Sequence, residues 1–428
     1  MLYELNFPHR QNPYWSRAFA TQKEILTYLE SVASRFLVYP HIRFGRAVSR
    51  SRWDKATSKW TVETSEGETF TGDVLVSALG LQHLPIYPSF RGMDQFKGDA
   101  FHTSAWKKGY NPKGKRIAVI GTGSSGVQMM PILAGMGPES ITVFQRTPTM
   151  PPPKGDFAIP PWFKTAFALF PFLQSLYRWR LFYNTELAFW TVFFVGPKSQ
   201  AINDGIREYI KATVKDQDVA TKLTPSYNMG SKRPTPSDDY LQAFNKDFVH
   251  LNTTTIDCLD ENGIKTVDGK EHKFDTIIYA TGFDILKSAK GFEQEGLKGT
   301  LDEDYGDTPT AYLGITHFNH PNFFRLYGPG TLQGNVFFMI ECQVNYAMDG
   351  IRKMLESGAK SMVVKPEVMR RYQDKRVKMN EGSAFADNTT SSYFRNSAGV
   401  NWVCWPLLMS QYWWATVTAN MADFHMEY

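Results

Sequence analysis

Residues 116–126 read R-I-A-V-I-G-T-G-S-S-G, and the rest of the chain is best interpreted from this segment. The apolar run Ile117–Ile120 indicates a buried strand, and the residues after the glycines are compatible with a helix. Gly121 permits a tight turn, Gly123 lets the backbone approach a pyrophosphate, and Gly126 lets the helix pack on the strand. The pattern predicts a dinucleotide-binding unit, with a ligand-free glycine loop as the alternative. Its predicted cofactor-binding residues are Gly121, Thr122, Gly123, Ser124, Ser125, Gly126 and Gln128.

The next predicted strand, Ile141–Gln145, indicates which nucleotide is bound. A site for NAD carries Asp or Glu at the end of this strand, where the carboxylate binds the ribose 2′-hydroxyl. This chain has Arg146 there instead. A guanidinium pairs with a 2′-phosphate, which a carboxylate would repel. The sequence therefore predicts NADPH rather than NADH, with a solvated surface arginine as the alternative.

Strands alternate with helices along the chain, which is typical of an α/β protein with parallel sheets. Thr21–Phe36 is predicted as an amphipathic helix, and a second helix is expected near Val344–Leu355. Val74–Ala78 and Phe274–Ala280 are predicted as buried strands followed by small residues. Open α/β sheets receive ligands at such strand ends.

Composition excludes several classes of function. The 428 residues carry 47 basic and 42 acidic side chains, and a net charge of +5 is too weak to indicate a nucleic-acid partner. Cys258, Cys342 and Cys404 show neither metal-ligand nor disulfide spacing, so no metal site is predicted. The N-terminus has no signal-peptide layout, and a cytoplasmic location is expected.

Aromatic residues are concentrated in the helical region Phe157–Gly196. Charged residues interrupt it, and its longest clean apolar run is too short to span a bilayer. We predict a helical wall of a substrate-binding domain. The alternative is a weak peripheral contact with a membrane surface, which aromatic residues flanked by arginines also favour.

A second motif lies just before the dinucleotide unit. It has the form F-x-G-x-x-x-H-x-x-x-W and consists of Phe96, Gly98, His102 and Trp106. Further matching segments follow in the same order: Q-R-T-P at 145–148, K-R-P at 232–234 and A-T-G-F-D at 280–284. Over essentially the whole length, the chain resembles the Baeyer–Villiger monooxygenases, whose wider family includes other flavin-containing monooxygenases.

The resemblance implies two Rossmann-like domains, one for FAD and one for NADPH. It places a first part of the FAD domain at 1–112, the NADP domain at 113–275 with a helical insertion at about 155–222, and a return to the FAD domain at 276–428. The implied reaction inserts one oxygen atom from O₂ into an apolar ketone, giving an ester or lactone, through a C4a-peroxyflavin. Two alternatives stay open: oxygenation of nitrogen or sulfur, and an inactive NADP-binding fragment. The oligomeric state is not predicted.

The resemblance also implies roles for individual residues. Arg233 corresponds to the active-site arginine, whose permanent charge stabilises developing negative charge. Lys232 and Thr147 correspond to residues that meet the 2′-phosphate beside Arg146. His102 is expected to support the geometry between domains rather than to transfer protons, and Trp106 is expected to pack. The segment Ala280, Thr281 and Gly282 is expected to admit cofactor and linker.

The chain departs from the family pattern in three places. Family members begin with a strand and a first G-x-G-x-x-G for FAD, and the printed sequence starts just past that region, so we expect a shortened FAD sheet with an exposed edge and an open apolar face. Lys107 follows the tryptophan where Pro or Asp is usual. Ser392-Tyr393-Phe394 stands where the family often has Ser-Trp-Tyr, which leaves the substrate range open.

Overall fold

The computed structural model describes Glu4, Leu5 and residues 11–428. The helices are α1 (Gln22–Arg35), α2 (Ser124–Gly135), α3 (Pro161–Leu169), α4 (Pro171–Phe193), α5 (Pro197–Thr213), α6 (Gln217–Leu223), α7 (Tyr240–Ala243), α8 (Ile285–Lys290), α9 (Leu301–Tyr305), α10 (Val336–Glu356), α11 (Pro366–Asn380) and α12 (Met409–Thr416). The strands are β1 (Val48–Asp54), β2 (Lys59–Thr64), β3 (Thr69–Gly72), β4 (Leu75–Ser77), β5 (Asp99–His102), β6 (Arg116–Ile120), β7 (Ser140–Phe144), β8 (Val249–Asn252), β9 (Ile256–Leu259), β10 (Gly263–Thr266), β11 (Glu271–Lys273), β12 (Thr276–Tyr279), β13 (Glu293–Glu295), β14 (Phe323–Arg325), β15 (Ser361–Val364) and β16 (Phe424–Glu427).

The chain packs into two compact units. Unit 1 comprises Met1–Leu81, Asp156–Phe194 and Leu286–Tyr428, and unit 2 comprises Gln82–Gly155 and Val195–Ile285. These boundaries differ from the expected 112/113 and 275/276, because β5 and β12 both pair within the sheet that contains β6. The expected insertion at about 155–222 is also divided, with α3 and α4 in unit 1 and α5 and α6 in unit 2.

Unit 2 is built on a fully parallel sheet with strand order β5-β12-β6-β7-β8. On one face, Ile117 and Val119 of β6 join a core with Val127 of α2 and Ile210 of α5. On the other face, Ala118 and its neighbours pack against the antiparallel sheet β11-β10-β9. Parallel sheets are stable when both faces are covered in this way.

Unit 1 contains an antiparallel meander, β1-β2-β3, extended by β13, which runs parallel to β1. A separate parallel pair, β4 and β14, brings Ser77 into register with Arg325 at the carboxyl ends of both strands. Within the described residues this pair has no further strand partner. Val76 and Leu79, in and just after β4, are exposed.

Helix α1 illustrates how local sequence fixes one element of unit 1. Its predicted span, Thr21–Phe36, matches the observed helix with its two caps, because the Thr21 side chain accepts a hydrogen bond from the Glu24 N–H. Its apolar face packs with Trp15, Ile159 and Phe167 in one core cluster.

Helix α4 has an inverted pattern of exposure. Its polar residues Gln174 and Glu186 are buried, and the Glu186 carboxylate accepts hydrogen bonds from the backbone N–H groups of Met409 (2.8 Å) and Ser410 (3.1 Å). Six large residues on its outer face are each more than half exposed: Phe172, Leu176, Trp179, Tyr183, Leu187 and Trp190. Among the described residues, no helix is both long and apolar enough to cross a membrane.

Candidate dinucleotide site

The glycine turn of unit 2 is closely packed at two of its three glycines. Gly121 has φ +105°, and a β-carbon there would lie 2.6 Å from the carbonyl oxygen of Ala280. A β-carbon at Gly126 would come closer than 3.0 Å to the carbonyl oxygen of Gly121. Gly123 differs, because a β-carbon there would meet nothing within 4 Å. Two glycines therefore serve the packing of strand and helix, and Gly123 leaves open space at the start of α2.

That open space lies at a helix N-terminus. Gly123 is the N-cap of α2 and is exposed, and no side chain caps this end of the helix. The first N–H groups of a helix and its dipole attract an anion. The geometry of the turn thus fits a pyrophosphate, with Ser124 and Ser125 half-buried at the first helical positions and Gln128 exposed one turn further on.

Hydrogen bonds bring two other predicted segments to this turn. The Thr122 hydroxyl donates to the carbonyl oxygen of Thr147 (3.1 Å), which fixes the segment that follows β7. The hydroxyls of Ser124 and Thr235 are 2.7 Å apart, which fixes the loop that contains Lys232 and Arg233. Three stretches separated by up to 111 residues are therefore held together inside unit 2.

The cationic side chains of these segments belong to two exposed arginines and one half-buried lysine. Arg146 is exposed and forms no ion pair within the part of the chain that the structure describes. The Lys232 ammonium lies 5.6 Å from the ring centroid of Tyr227, a cation–π contact that positions it. The Tyr227 hydroxyl in turn donates to the carbonyl oxygen of Pro148 (2.9 Å), so the lysine is linked to the segment after β7. Arg233 is exposed in the same loop.

Tyr227 and the Ser124–Thr235 pair are the contacts that sequence reasoning did not identify. Burial raises the pKa of Tyr227, so its hydroxyl stays protonated and acts as a donor. The signal that could have found Thr235 is its position two residues after Arg233, in a loop the resemblance already marked. Nothing in the local pattern around Tyr227 indicated its role.

The F-x-G-x-x-x-H-x-x-x-W motif builds the edge of the same sheet. A β-carbon at Gly98 would lie 2.6 Å from the carbonyl oxygen of Asp275, where β5 begins to pair with β12, and the Phe96 ring covers this glycine. Trp106 is partly exposed and packs edge-on against Phe101, with ring centroids 5.0 Å apart.

His102, at the end of β5, is fully buried. Its Nδ1 lies 2.8 Å from the Ser104 hydroxyl and accepts from the Ser104 N–H (3.1 Å). Burial lowers the pKa of His102, with a backbone contact to Gly282 opposing that shift, so the imidazole is neutral near pH 7. Its ring packs on Tyr87 and Phe283. These contacts favour the predicted supporting role over proton transfer, and that role stays a prediction.

The segment Ala280–Gly282 follows β12 and borders the glycine turn. The Ala280 N–H donates to the carbonyl oxygen of Ile120 (2.9 Å), and the Ile86 N–H donates to that of Gly282 (2.9 Å). Thr281 donates to the carbonyl oxygen of Ile86. The structure thus places this segment in unit 2 beside Gly121, where small residues allow the turn to pack closely.

Fold and site together define a class. The protein has a parallel sheet with a glycine turn at an uncapped helix N-terminus, and cationic side chains on the segments fixed to that turn. These features are typical of a Rossmann-like dinucleotide-binding protein.

Comparisons with known proteins identify the family. Residues 5–140 match the family model described as flavin-binding monooxygenase-like. The chain is 32% identical to an FAD-binding monooxygenase of Aspergillus niger, covering 99% of this chain and 72% of that protein. It is 31% identical to a Baeyer–Villiger monooxygenase of Streptomyces coelicolor, covering 98% of this chain and 82% of that protein.

Solved structures of similar fold are also monooxygenases. A steroid monooxygenase bound to NADP superposes with a TM-score of 0.87 at 29% identity, covering 100% of this chain and 89% of that one. A cyclohexanone monooxygenase from Rhodococcus sp. Phi1 bound to NADP⁺ gives 0.88 at 26% identity, covering 100% and 88%. The chain belongs to the Baeyer–Villiger monooxygenase family of flavin-dependent enzymes. The family, the α/β fold with Rossmann-like domains and the enzyme class predicted from the sequence are confirmed.

Proposed function

We propose that this protein uses NADPH and FAD to insert one oxygen atom from O₂ into an apolar ketone, giving an ester or lactone. The observation that carries the proposal is the assembly of the glycine turn, the segment after β7 and the Lys232–Thr235 loop at one helix N-terminus of unit 2. The family to which the chain belongs supports the reaction class, since its relatives include cyclohexanone and steroid monooxygenases that bind NADP.

NADPH is assigned to unit 2. The N–H groups at the start of α2 would hold the pyrophosphate, with Gly123 leaving room for it. Arg146 and Lys232 would hold the 2′-phosphate, because one offers a planar fork of donors and the other a compact charge. Thr147 follows Arg146 directly, and its carbonyl oxygen accepts a hydrogen bond from the Thr122 hydroxyl of the glycine turn.

FAD is assigned to unit 1, where the carboxyl ends of β4 and β14 form a ligand edge of the kind open parallel sheets use. The buried Ser77 hydroxyl at this edge has no hydrogen-bond partner within the described residues, which fits a site built for an additional polar group. Gly80, with φ +73° and open space at its β-carbon position, lets a ligand approach the backbone after β4. When bound, FAD supplies the redox chemistry that accepts a hydride from NADPH and activates O₂.

Arg233 is assigned to the oxygenation step. An arginine guanidinium is permanently charged, so that of Arg233 would stabilise negative charge that develops on the ketone oxygen during oxygenation. The Ser124–Thr235 hydrogen bond positions the loop that carries it relative to the glycine turn. The same loop therefore serves both cofactor binding and chemistry.

A product assay tests this function. The purified chain, supplied with FAD and NADPH in air, is given a cyclic ketone and, separately, a thioether, and products are identified by gas chromatography and mass spectrometry. We expect ester or lactone as the main product. Arg233→Ala should abolish ester formation while NADPH still binds, and Arg370→Ala, an exposed arginine on α11, should behave like the parent.

Each other outcome of this assay has a stated meaning. Sulfoxide without ester would establish the heteroatom oxygenase instead. NADPH binding with no oxygen consumption, for either substrate, would establish a nucleotide-binding fragment without oxygenase activity. Ester formed equally well by Arg233→Ala would remove Arg233 from the assigned role.

We also propose that the outer face of α4 contacts the interfacial region of a membrane. The six apolar and aromatic residues of this face stand at helical spacing, and Trp and Tyr among them suit the boundary between headgroups and acyl chains. Trp162, Leu169 and Phe170 of the α3 segment are also exposed. Arg180 is exposed on α4, where it can pair with anionic headgroups.

Vesicle sedimentation tests the membrane contact. The parent should sediment with vesicles of phosphatidylcholine and phosphatidylserine, and the double substitution Trp179→Ser and Trp190→Ser should reduce binding at least about tenfold, because two interfacial anchors are lost. Trp414→Ser is the matched control, since that tryptophan is also exposed but lies on α12. If the parent does not bind vesicles but forms a dimer, and the double substitution converts that dimer to a monomer, then a second copy of the chain covers this face.

A further inference from the structure

Three potential metal ligands meet in unit 1, although no metal site is predicted from the sequence. Asp304 lies on α9, and His317 and His320 lie in the turn that precedes β14. The Nδ1 atoms of His317 and His320 are 3.6 Å and 3.9 Å from the Asp304 Oδ2, and one ligand atom from each residue lies within 4.8 Å of the others. Both histidine side chains are buried, and that of Asp304 is 18% exposed, which gives an ion a route of access.

The hydrogen bonds of His320 set its tautomer. Its Nε2 lies 3.2 Å from the carbonyl oxygen of Gln294, an acceptor, so this nitrogen carries the proton. Nδ1 is then unprotonated and carries a lone pair. This atom is buried and has no hydrogen-bond partner in the part of the chain that the structure describes. A metal-binding histidine typically donates its second nitrogen to a carbonyl in this way.

His317 differs from His320 in its contacts. Its Nδ1 accepts a long hydrogen bond from the Asn319 N–H (3.4 Å), which a bound ion would replace, and its Nε2 has no hydrogen-bond partner within the described residues.

The separations fit an ion better than direct contacts. Distances of 3.6 Å and 3.9 Å are too long for hydrogen bonds between these groups. Ligands about 2.0–2.1 Å from a tetrahedral zinc ion lie about 3.3 Å from each other, and both separations between carboxylate and imidazole are within about 0.6 Å of that value. The Asn319 side-chain amide holds the Asp304 Oδ2 (3.0 Å) in place.

We infer that Asp304, His317 and His320 form a binding site for a divalent transition-metal ion such as Zn²⁺. Two imidazoles and one carboxylate are a ligand set used by such ions and leave a fourth position for water. The ion joins α9 to the turn before β14 and, through His320, to Gln294 of β13. It therefore stabilises unit 1, and the inference does not depend on the proposed oxygenase activity.

Trp60 provides a built-in reporter of the site. Its ring is stacked on that of His320, with an interplanar angle of 9° and centroids 6.2 Å apart. A paramagnetic ion bound at His320 should therefore quench Trp60 fluorescence.

The test uses the full chain, stripped with a chelator and titrated with Co²⁺ and with Zn²⁺. We expect one equivalent of Co²⁺ to bind with visible absorption bands, to quench part of the tryptophan emission and to be displaced by Zn²⁺. Zn²⁺ at about 100 times its Kd should raise the melting temperature by several degrees.

Asp304→Asn and His320→Gln should each weaken Co²⁺ binding at least about tenfold. His250→Gln, which alters an exposed histidine on β8, should have no effect. If His320→Gln does not fold, the titration of the parent and of Asp304→Asn decides the question. Failure of the parent to bind either ion, or equal loss of binding in His250→Gln, would overturn the inference.

Discussion

Substituting Gly123 by Asp should separate the two properties of the glycine turn, because stability and nucleotide binding should change in opposite directions. Gly123 is the N-cap of α2, with φ −72° and ψ −173°, a conformation that Asp adopts readily, and its β-carbon would enter open space. An Asp there can accept the N–H groups that no side chain now caps. A better cap and a favourable interaction with the helix dipole together contribute about 0.5–1 kcal/mol.

The same carboxylate should exclude the pyrophosphate. It occupies the N–H groups assigned to the phosphate and adds a like charge where the anion binds. Loss of even one charge-assisted hydrogen bond costs about 1.5–3 kcal/mol, so we expect the Kd for NADPH to rise at least about tenfold. Gly123→Asn keeps the cap without the charge and should lose less affinity.

Calorimetric titration with NADPH and a thermal melt measure both effects on the same sample. We expect the melting temperature to rise by about 1–4 °C while binding falls. Undiminished binding would show that the pyrophosphate lies elsewhere. A lowered melting temperature would show that Gly123 is not the cap of α2.

Gly126→Ala should lower the stability of unit 2, because its β-carbon would approach the Gly121 carbonyl oxygen about 1 Å more closely than an ordinary 3.4 Å contact. Backbone cannot move aside as a flexible side chain can, and overpacking costs about 1–3 kcal/mol. The gain in helix propensity recovers about 1 kcal/mol of this. The net cost is therefore up to about 2 kcal/mol, which lowers the melting temperature by up to about 8 °C, and a raised melting temperature would contradict the packing of strand and helix.

Three further predictions use the same measurements. Arg146→Ala should weaken NADPH binding by about 1.5–3 kcal/mol and leave NADH binding unchanged, and equal loss for both would remove Arg146 from the 2′-phosphate. Thr235→Val removes the partner of the Ser124 hydroxyl and should weaken both nucleotides alike, by about 0.5–1.5 kcal/mol; a loss confined to NADPH would contradict the positioning role. Burial raises the pKa of Asp349, but hydrogen bonds led by that from Lys353 outweigh it and lower the pKa below that of an unfolded chain. The carboxylate therefore stabilises the fold above about pH 4, and this stabilisation is lost as the pH falls further. Asp349→Asn should lower the melting temperature at pH 7, and its melting temperature should approach that of the parent as the pH falls. A difference in melting temperature that stays constant down to about pH 2 would refute this.

The fold around the proposed nucleotide site could be predicted because its information is local. The strand, turn and helix at 116–135 follow from a short stretch in which each glycine has its own steric reason. The helix predicted near Val344–Leu355 begins earlier, at Val336, because Asn335 caps it and the apolar start of α10 hides the helical period. Element type was thus better predicted than element boundaries.

Domain boundaries were less predictable because strand pairing is not local. The strand at Thr276–Tyr279 was expected to return to the FAD domain, yet it lies between β5 and β6 in the sheet of unit 2. Only its partners, about 160–180 residues earlier in the chain, determine that assignment. The histidines of the proposed metal site had the same difficulty, since their relation to Asp304 depends on how α9 packs.

Helix α4 shows most clearly what composition leaves undecided. Its aromatic content is evident from the sequence, and an ordinary helix would turn such residues inwards. The buried Glu186 carboxylate accepts hydrogen bonds from backbone N–H groups more than 220 residues away, so a charged side chain can lie on the inward side of α4 together with Phe182 and Phe189. A buried carboxylate with these partners cannot rotate outwards without leaving two donors unsatisfied. The contacts of Glu186 with Met409 and Ser410, together with the hydrogen bond from Gln174 to the carbonyl oxygen of Asn12 (3.0 Å), therefore help to fix which side of α4 faces outwards.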